Sequence, residues 1–98
     1  MKTMNDFIHA IGIDGNIDDF TTEQKYGIAH VIAYLTERNQ RYGTIIIEYY
    51  KNGKTQKEIT QMLGISQASV QQSQYKMLRM AKHPMFIKWI TEGIDLGE

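Results

Sequence analysis

Apolar residues recur along this chain at spacings of three and four, and strict apolar/polar alternation is scarce, so helices are expected almost throughout. The first run starts at Thr3 and sets Met4, Phe7, Ile8 and Ile11 on one face. Gly12, Asp14-Gly15-Asn16 and Asp18-Asp19 then break it into a loop. Thr21 and Gln24 have the spacing of a capping box. The helix they open carries Tyr26, Ile28, Val31, Ile32 and Leu35 on or near one face, and LTERNQRYG either bends it or continues it. A third helix is expected over residues 36–51, with Tyr42, Ile45, Ile46, Tyr49 and Tyr50 inward and Asn52-Gly53 as its stop. The three isoleucines at 45–47 have the β-branched content of a strand, but a helix suits this architecture better.

Beyond Gly53 the pattern tightens. Thr55 is an N-cap for a short helix of about eight residues that ends at Leu63. Gly64 supplies the positive φ of a tight helix-to-helix turn. Ser66 caps the next helix, expected over residues 67–82. Pro84 then opens a last short helix, residues 85–92, with Phe86, Trp89 and Ile90 as its apolar stripe. The expected fold is all-α: a compact bundle of five or six helices in a single domain over residues 1–98, with a helix-turn-helix at 55–82.

Composition changes this picture little. Apolar residues make up 42% of the chain and charged ones 22%, as in ordinary globular proteins. The absence of cysteine excludes disulfides and thiolate zinc sites, and it fits a reducing cytoplasm. MKTMNDFIHAIG has no apolar core run, so no signal peptide is expected, and no run approaches the ~20 apolar residues of a membrane helix. A cytoplasmic protein without membrane contact is the expectation.

Charge changes the picture more. The net charge is zero, but it averages two unlike parts. Residues 1–50 carry four Lys and Arg against seven carboxylates, a net −3. Residues 51–91 carry seven Lys and Arg against Glu58 alone, a net +6, and Glu92, Asp95 and Glu98 follow. A charged face is often only solvated surface. Here the basic part coincides with the helix-turn-helix pattern, and that coincidence points to a polyanion.

In that pattern Ile59, Leu63, Ile65 and Val70 supply the inner contacts. The second helix can then hold Ser66, Gln67, Ala68, Gln71 and Gln72, with Tyr75 one turn on, against base edges in the major groove. Glutamine can pair in bidentate fashion with adenine, and alanine can touch a thymine methyl. Lys54, Lys57, Lys76, Arg79 and Lys82 flank the unit as phosphate contacts, with the Thr55 hydroxyl beside them. The alternative is a helical hairpin that only packs or binds protein.

The segment YYKNGKTQKEITQMLGISQASVQQSQYKMLRMAKHP, residues 49–84, resembles region 4 of bacterial sigma factors. The shared features are a threonine and Glu-Ile pair opening a short helix, a glycine turn, a second helix, and a closing KMLRMAKHP. The upstream LTERNQ is similar to that region's opening but about two residues out of step. The resemblance covers about half the chain and implies duplex DNA, transcription regulation and RNA polymerase as partners. It departs from the family where reading arginines are usual, since Gln67, Ala68, Gln71 and Gln72 stand there. Ser73 replaces a buried aliphatic and Thr60 a small apolar residue. Ninety-eight residues leave no room for the other sigma regions, so a complete sigma factor is not expected. KMLRMAKHPMFIKWI is also similar to the ending of small phage helix-turn-helix proteins, among them small terminase subunits, which bind packaging sites as rings.

Nothing in the pattern suggests an enzyme. His9, His30 and His83 are far apart without metal-ligand spacing, and phosphate-binding glycine fingerprints are absent. Asp14, Asn16 and Asp18 have the start of a calcium loop, yet Asp19 and Lys25 stand where it requires glycine and glutamate. No cofactor, metal or catalytic residue is expected. Three readings stay open: a sequence-specific DNA-binding regulator, a protein-interaction module that mimics region 4 and grips polymerase or a regulator, and a packaging-type DNA binder. Specific binders of this kind are usually dimers, and the acidic N-terminal helices would be the surface for a homodimer.

Overall fold

Helices begin in this protein where the sequence supplies a cap. In the computed structural model, which describes residues 1–94, Thr3 accepts from the Asp6 N–H while the Asp6 carboxylate accepts from the Thr3 N–H. This capping box opens α1, Met4–Ala10. A second box, Thr21 with Gln24, opens α2, Thr22–Arg38. A third, Thr55 with Glu58, opens α4, Gln56–Leu63. Ser66 caps α5, Gln67–Ala81, and Pro84 is the first residue of α6, Pro84–Glu92. The described residues contain no strand, and the all-α expectation holds.

The first helix ends in a complete Schellman motif. Gly12, at φ 91°, donates to the His9 carbonyl, and Ile13 donates to the Ile8 carbonyl at 2.9 Å. Ile8 and Ile13 are both buried, which supplies the apolar contact such an ending favours. The loop beyond is pinned rather than free. The Asn5 side chain accepts from the Ile17 N–H at 2.8 Å, and Asn16 caps a short 3₁₀ turn, Ile17–Asp19.

The middle of the chain differs from the expected helix over residues 36–51. The second helix runs on to Arg38 and stops at Asn39, whose backbone is extended. The Asn39 side chain then caps α3, Gln40–Ile45, by accepting from the Arg41 N–H at 3.0 Å. From Ile46 to Lys51 the backbone widens into a π turn. Asn52 donates to the Ile47 carbonyl at 2.8 Å, the spacing of five residues that defines it. That widening buries Ile45, Ile46 and Tyr50 together, and the Tyr50 ring meets Phe7 of α1 at 5.4 Å.

One core joins all six helices: Phe7, Ile8, Val31, Leu35, Ile45, Ile46, Ile59, Val70, Met77 and Ile90 are all fully buried. The closest seam lies between α2 and α6. A Cβ on Gly27 would overlap the Trp89 carbonyl oxygen and fall 2.6 Å from its carbon, so glycine is what lets the two backbones meet. One end of that seam is tied as well. The Gln24 side chain donates to the Thr91 carbonyl at 2.6 Å, and the Ile94 N–H to the Glu23 carbonyl at 2.9 Å. Among the described residues no helix is long and apolar enough to cross a membrane.

Candidate nucleic-acid interface

The unit formed by α4 and α5 rests on few residues. Ile59 and Val70 are fully buried, and Leu63 and Ile65 pack half-buried against the same core. Gly64 joins the helices at φ 66° and donates to the Thr60 carbonyl at 2.8 Å. Nothing lies within 4 Å of where its Cβ would stand, so the turn requires the left-handed backbone rather than space. Ser73 is buried within α5, and no buried side-chain nitrogen or oxygen among the described residues lacks a partner.

The expected reading residues fall on the outward side of α5. Gln67, Ala68, Gln71, Gln72, Tyr75, Lys76 and Arg79 are all exposed, as is Lys82 at its end, and Tyr75 shows 66% of its surface. Ala68, Gln72, Tyr75, Arg79 and Lys82 recur at three and four, so they form one stripe along the helix. At 1.5 Å per residue, Arg79 lies about 10 Å along the axis from Gln72. The helix places polar amides in its first half and cations in its second.

Two hydroxyls in the expected set are already engaged. Ser66 accepts from the Ser69 N–H at 3.1 Å and donates to the Ser69 hydroxyl at 3.0 Å. Thr55 donates to the Glu58 carboxylate at 3.1 Å and accepts from the Glu58 N–H at 3.1 Å. Both act first as caps. The Glu58 carboxylate lies below its ordinary pKa, held there by the Thr55 N–H and hydroxyl and aided by Lys54. It thereby fills the positive N-terminal end of α4, where a phosphate would otherwise sit. No carboxylate stands in the first turn of α5, whose N-terminal end remains positive.

The cations separate in the same way. Lys57 on α4 and Lys76, Arg79 and Lys82 along α5 are exposed. Lys54 is half-buried and lines a cleft with Lys2, Asp6, Tyr49 and Gln56. Asp6 in that cleft is also held below the usual carboxylate range, chiefly by the Thr3 N–H. Lys54 therefore stands beside Asp6 in a cleft and is less exposed than Lys57.

A relay of side chains, absent from the sequence-based expectation, lies behind the reading face. The Gln71 amide donates to Gln56 at 3.2 Å, the Gln56 amide to Gln74 at 2.8 Å, and the Gln74 amide to the Tyr50 hydroxyl at 3.1 Å. It links α5 to the start of α4 and to the π turn. Burial pushes the Tyr50 phenol above its ordinary pKa and keeps it protonated. The one signal in the sequence is the spacing of Gln71 and Gln74, three apart on one helix side. Their common partner, Gln56, lies 15 residues before the first of them and gives no local sign. Among the described residues Gln72 makes no side-chain hydrogen bond, so its amide is free at both ends.

Tyr50 is buried, and Trp89 is half-buried in a cluster with Phe86 at 5.3 Å and His30 at 4.6 Å. Compared with known family models, curated proteins and solved structures, the chain matches none.

Proposed function

We propose that this protein binds double-stranded DNA through α5, with α4 and its glycine turn as the supporting half of a helix-turn-helix, and that it serves as a transcription regulator. One observation carries the reading. A broad exposed face begins at the uncompensated positive end of α5 with Gln67, Ala68, Gln71 and Gln72, and it continues through Lys76, Arg79 and Lys82. Polar amides that can pair with bases precede cations that can hold phosphates, the order in which such a helix meets a major groove. Gln72, free at both ends, is the residue suited to bidentate contact with adenine. Gln71 has one N–H committed to Gln56, which leaves its carbonyl oxygen as an acceptor for an exocyclic amino group. Ser66 and Thr55 contribute through the caps that aim the helix. The resemblance to sigma region 4 supports the regulatory role.

Fluorescence anisotropy with random-sequence duplexes across a salt series tests the reading. With Lys57, Lys76, Arg79 and Lys82 on phosphates, the log–log slope of affinity against salt should be about −4. Charge reversal at Lys57 should weaken binding to every sequence. Gln72→Ala should flatten the preferences recovered by selection from a random pool, by ~1–3 kcal/mol at one base pair. Absence of duplex binding at low salt would sink the proposal.

A further inference from the structure

A second concave surface opens at the far end of α5 from its reading residues, and the DNA-binding reading does not account for it. The last turn of α2, the end of α5 and the start of α6 enclose a groove of about 360 Å³. Its floor is apolar: Phe86, anchored at 3% exposure, with Met80 and the ring of Tyr34, 5.1 Å from that of Phe86. Tyr34 and Met85 remain 40% and 42% exposed there, two of the six exposed large apolar side chains among the described residues. Arg38, Arg79 and Lys82 stand around this floor, and no carboxylate lines it. Cations at the ends of α2 and α5 would arise from helix dipoles alone. Dipoles do not explain why three of them, from two separate helices, surround one apolar hollow.

The chemistry of the groove selects its occupant. A nucleic-acid backbone would satisfy the cations but leave Tyr34, Met80 and Met85 facing water. A purely apolar helix would cover the floor and strand three charges at its edge. We propose that this groove docks an acidic segment of a partner protein. The segment inserts one aromatic or large aliphatic side chain against Tyr34, Met85 and Phe86, while flanking carboxylates pair with Arg38, Arg79 and Lys82. The cavity has the volume for such an anchor. Arg79 and Lys82 also belong to the expected DNA set, so peptide and duplex should compete, whereas Arg38 and Met85 belong to the groove alone.

The test uses the whole chain and a short synthetic peptide bearing one Phe between runs of Asp and Glu. Two further peptides are controls: one with every carboxylate replaced by its amide, one with Phe replaced by Ser. The single Trp89, 5.3 Å from Phe86, reports occupancy through its fluorescence. The acidic Phe peptide should bind and shift that emission, and each control peptide should bind at least about tenfold more weakly. Arg38→Gln should weaken binding of the acidic peptide severalfold while duplex affinity and the melting temperature stay near wild type. Because the peptide controls use the unaltered protein, misfolding of the variant would leave the result readable. No binding at low salt overturns the proposal. So does equal binding of the Ser peptide, which would mark simple polyanion attraction. Tighter binding of a single-stranded oligonucleotide that displaces the peptide would assign the groove to nucleic acid and also overturn it.

Discussion

The seam between α2 and α6 and the joint between α4 and α5 are built on opposite principles. At the seam, glycine brings backbone onto backbone, and fully buried Val31, Leu35 and Ile90 lie around it. At the joint, Ile59 and Val70 are the fully buried pair, Leu63 and Ile65 are only half-buried, and an amide relay ending on Tyr50 adds polar contact. Dense apolar packing fixes geometry through volume, and small changes are strongly felt. A polar relay fixes side-chain direction at little net stability, since each bond replaces one to water. The bundle is thus rigid where it faces itself and directional where it faces outward.

Gly27→Ala should have the largest effect, about 3 kcal/mol of lost stability by denaturant unfolding, because the new methyl meets the Trp89 backbone and not a yielding side chain. A near-neutral result would break the contrast at its strong end. Gly64→Ala should cost about 1–2 kcal/mol, all of it from the left-handed backbone, since the space around it is open. Gln56→Ala should cost less than about 1 kcal/mol yet change the base preferred opposite Gln71, as read by selection from a random pool. If stability drops and preference does not, the relay is packing and the contrast fails at its weak end.

The smallest effect is with pH. Asp6 and Glu58 titrate lower in the folded chain than when free, so their caps contribute fully above the ordinary carboxylate range. That contribution disappears as pH falls through their lowered values. Thermal melts in acid should therefore show declining stability, and Glu58→Gln should flatten part of the decline.

Local chemistry made much of this legible in the sequence. The Thr21 and Gln24 box, the Thr55 and Ser66 caps, the Gly64 turn and Pro84 at a helix start each depend on a few neighbouring residues. What escaped depends on distant partners. The break at Asn39 could not be told from a bend, because Asn39 caps and helix interiors share their flanking pattern. The π turn follows from fitting Tyr50 against Phe7, about 40 residues earlier, and carries no periodic signal of its own. Ser66 and Thr55 were legible as caps and, on the same residues, as groups for DNA. Only the placement of Ser69 and Glu58 shows how far the first role occupies them.

The π turn has a consequence for how this chain can vary. A π turn is an α-helix that has taken in one residue, and each residue advances an α-helix by about 100°. A π turn takes up its extra residue within its own wider winding, so removing Ile47 would return residues 46–51 to ordinary winding and leave everything downstream nearly in phase with α1. Tyr50 would keep its direction toward Phe7, and the relay through Gln74 would keep its terminus. The π turn is therefore a place where the chain can gain or lose one residue while α5 keeps its aim.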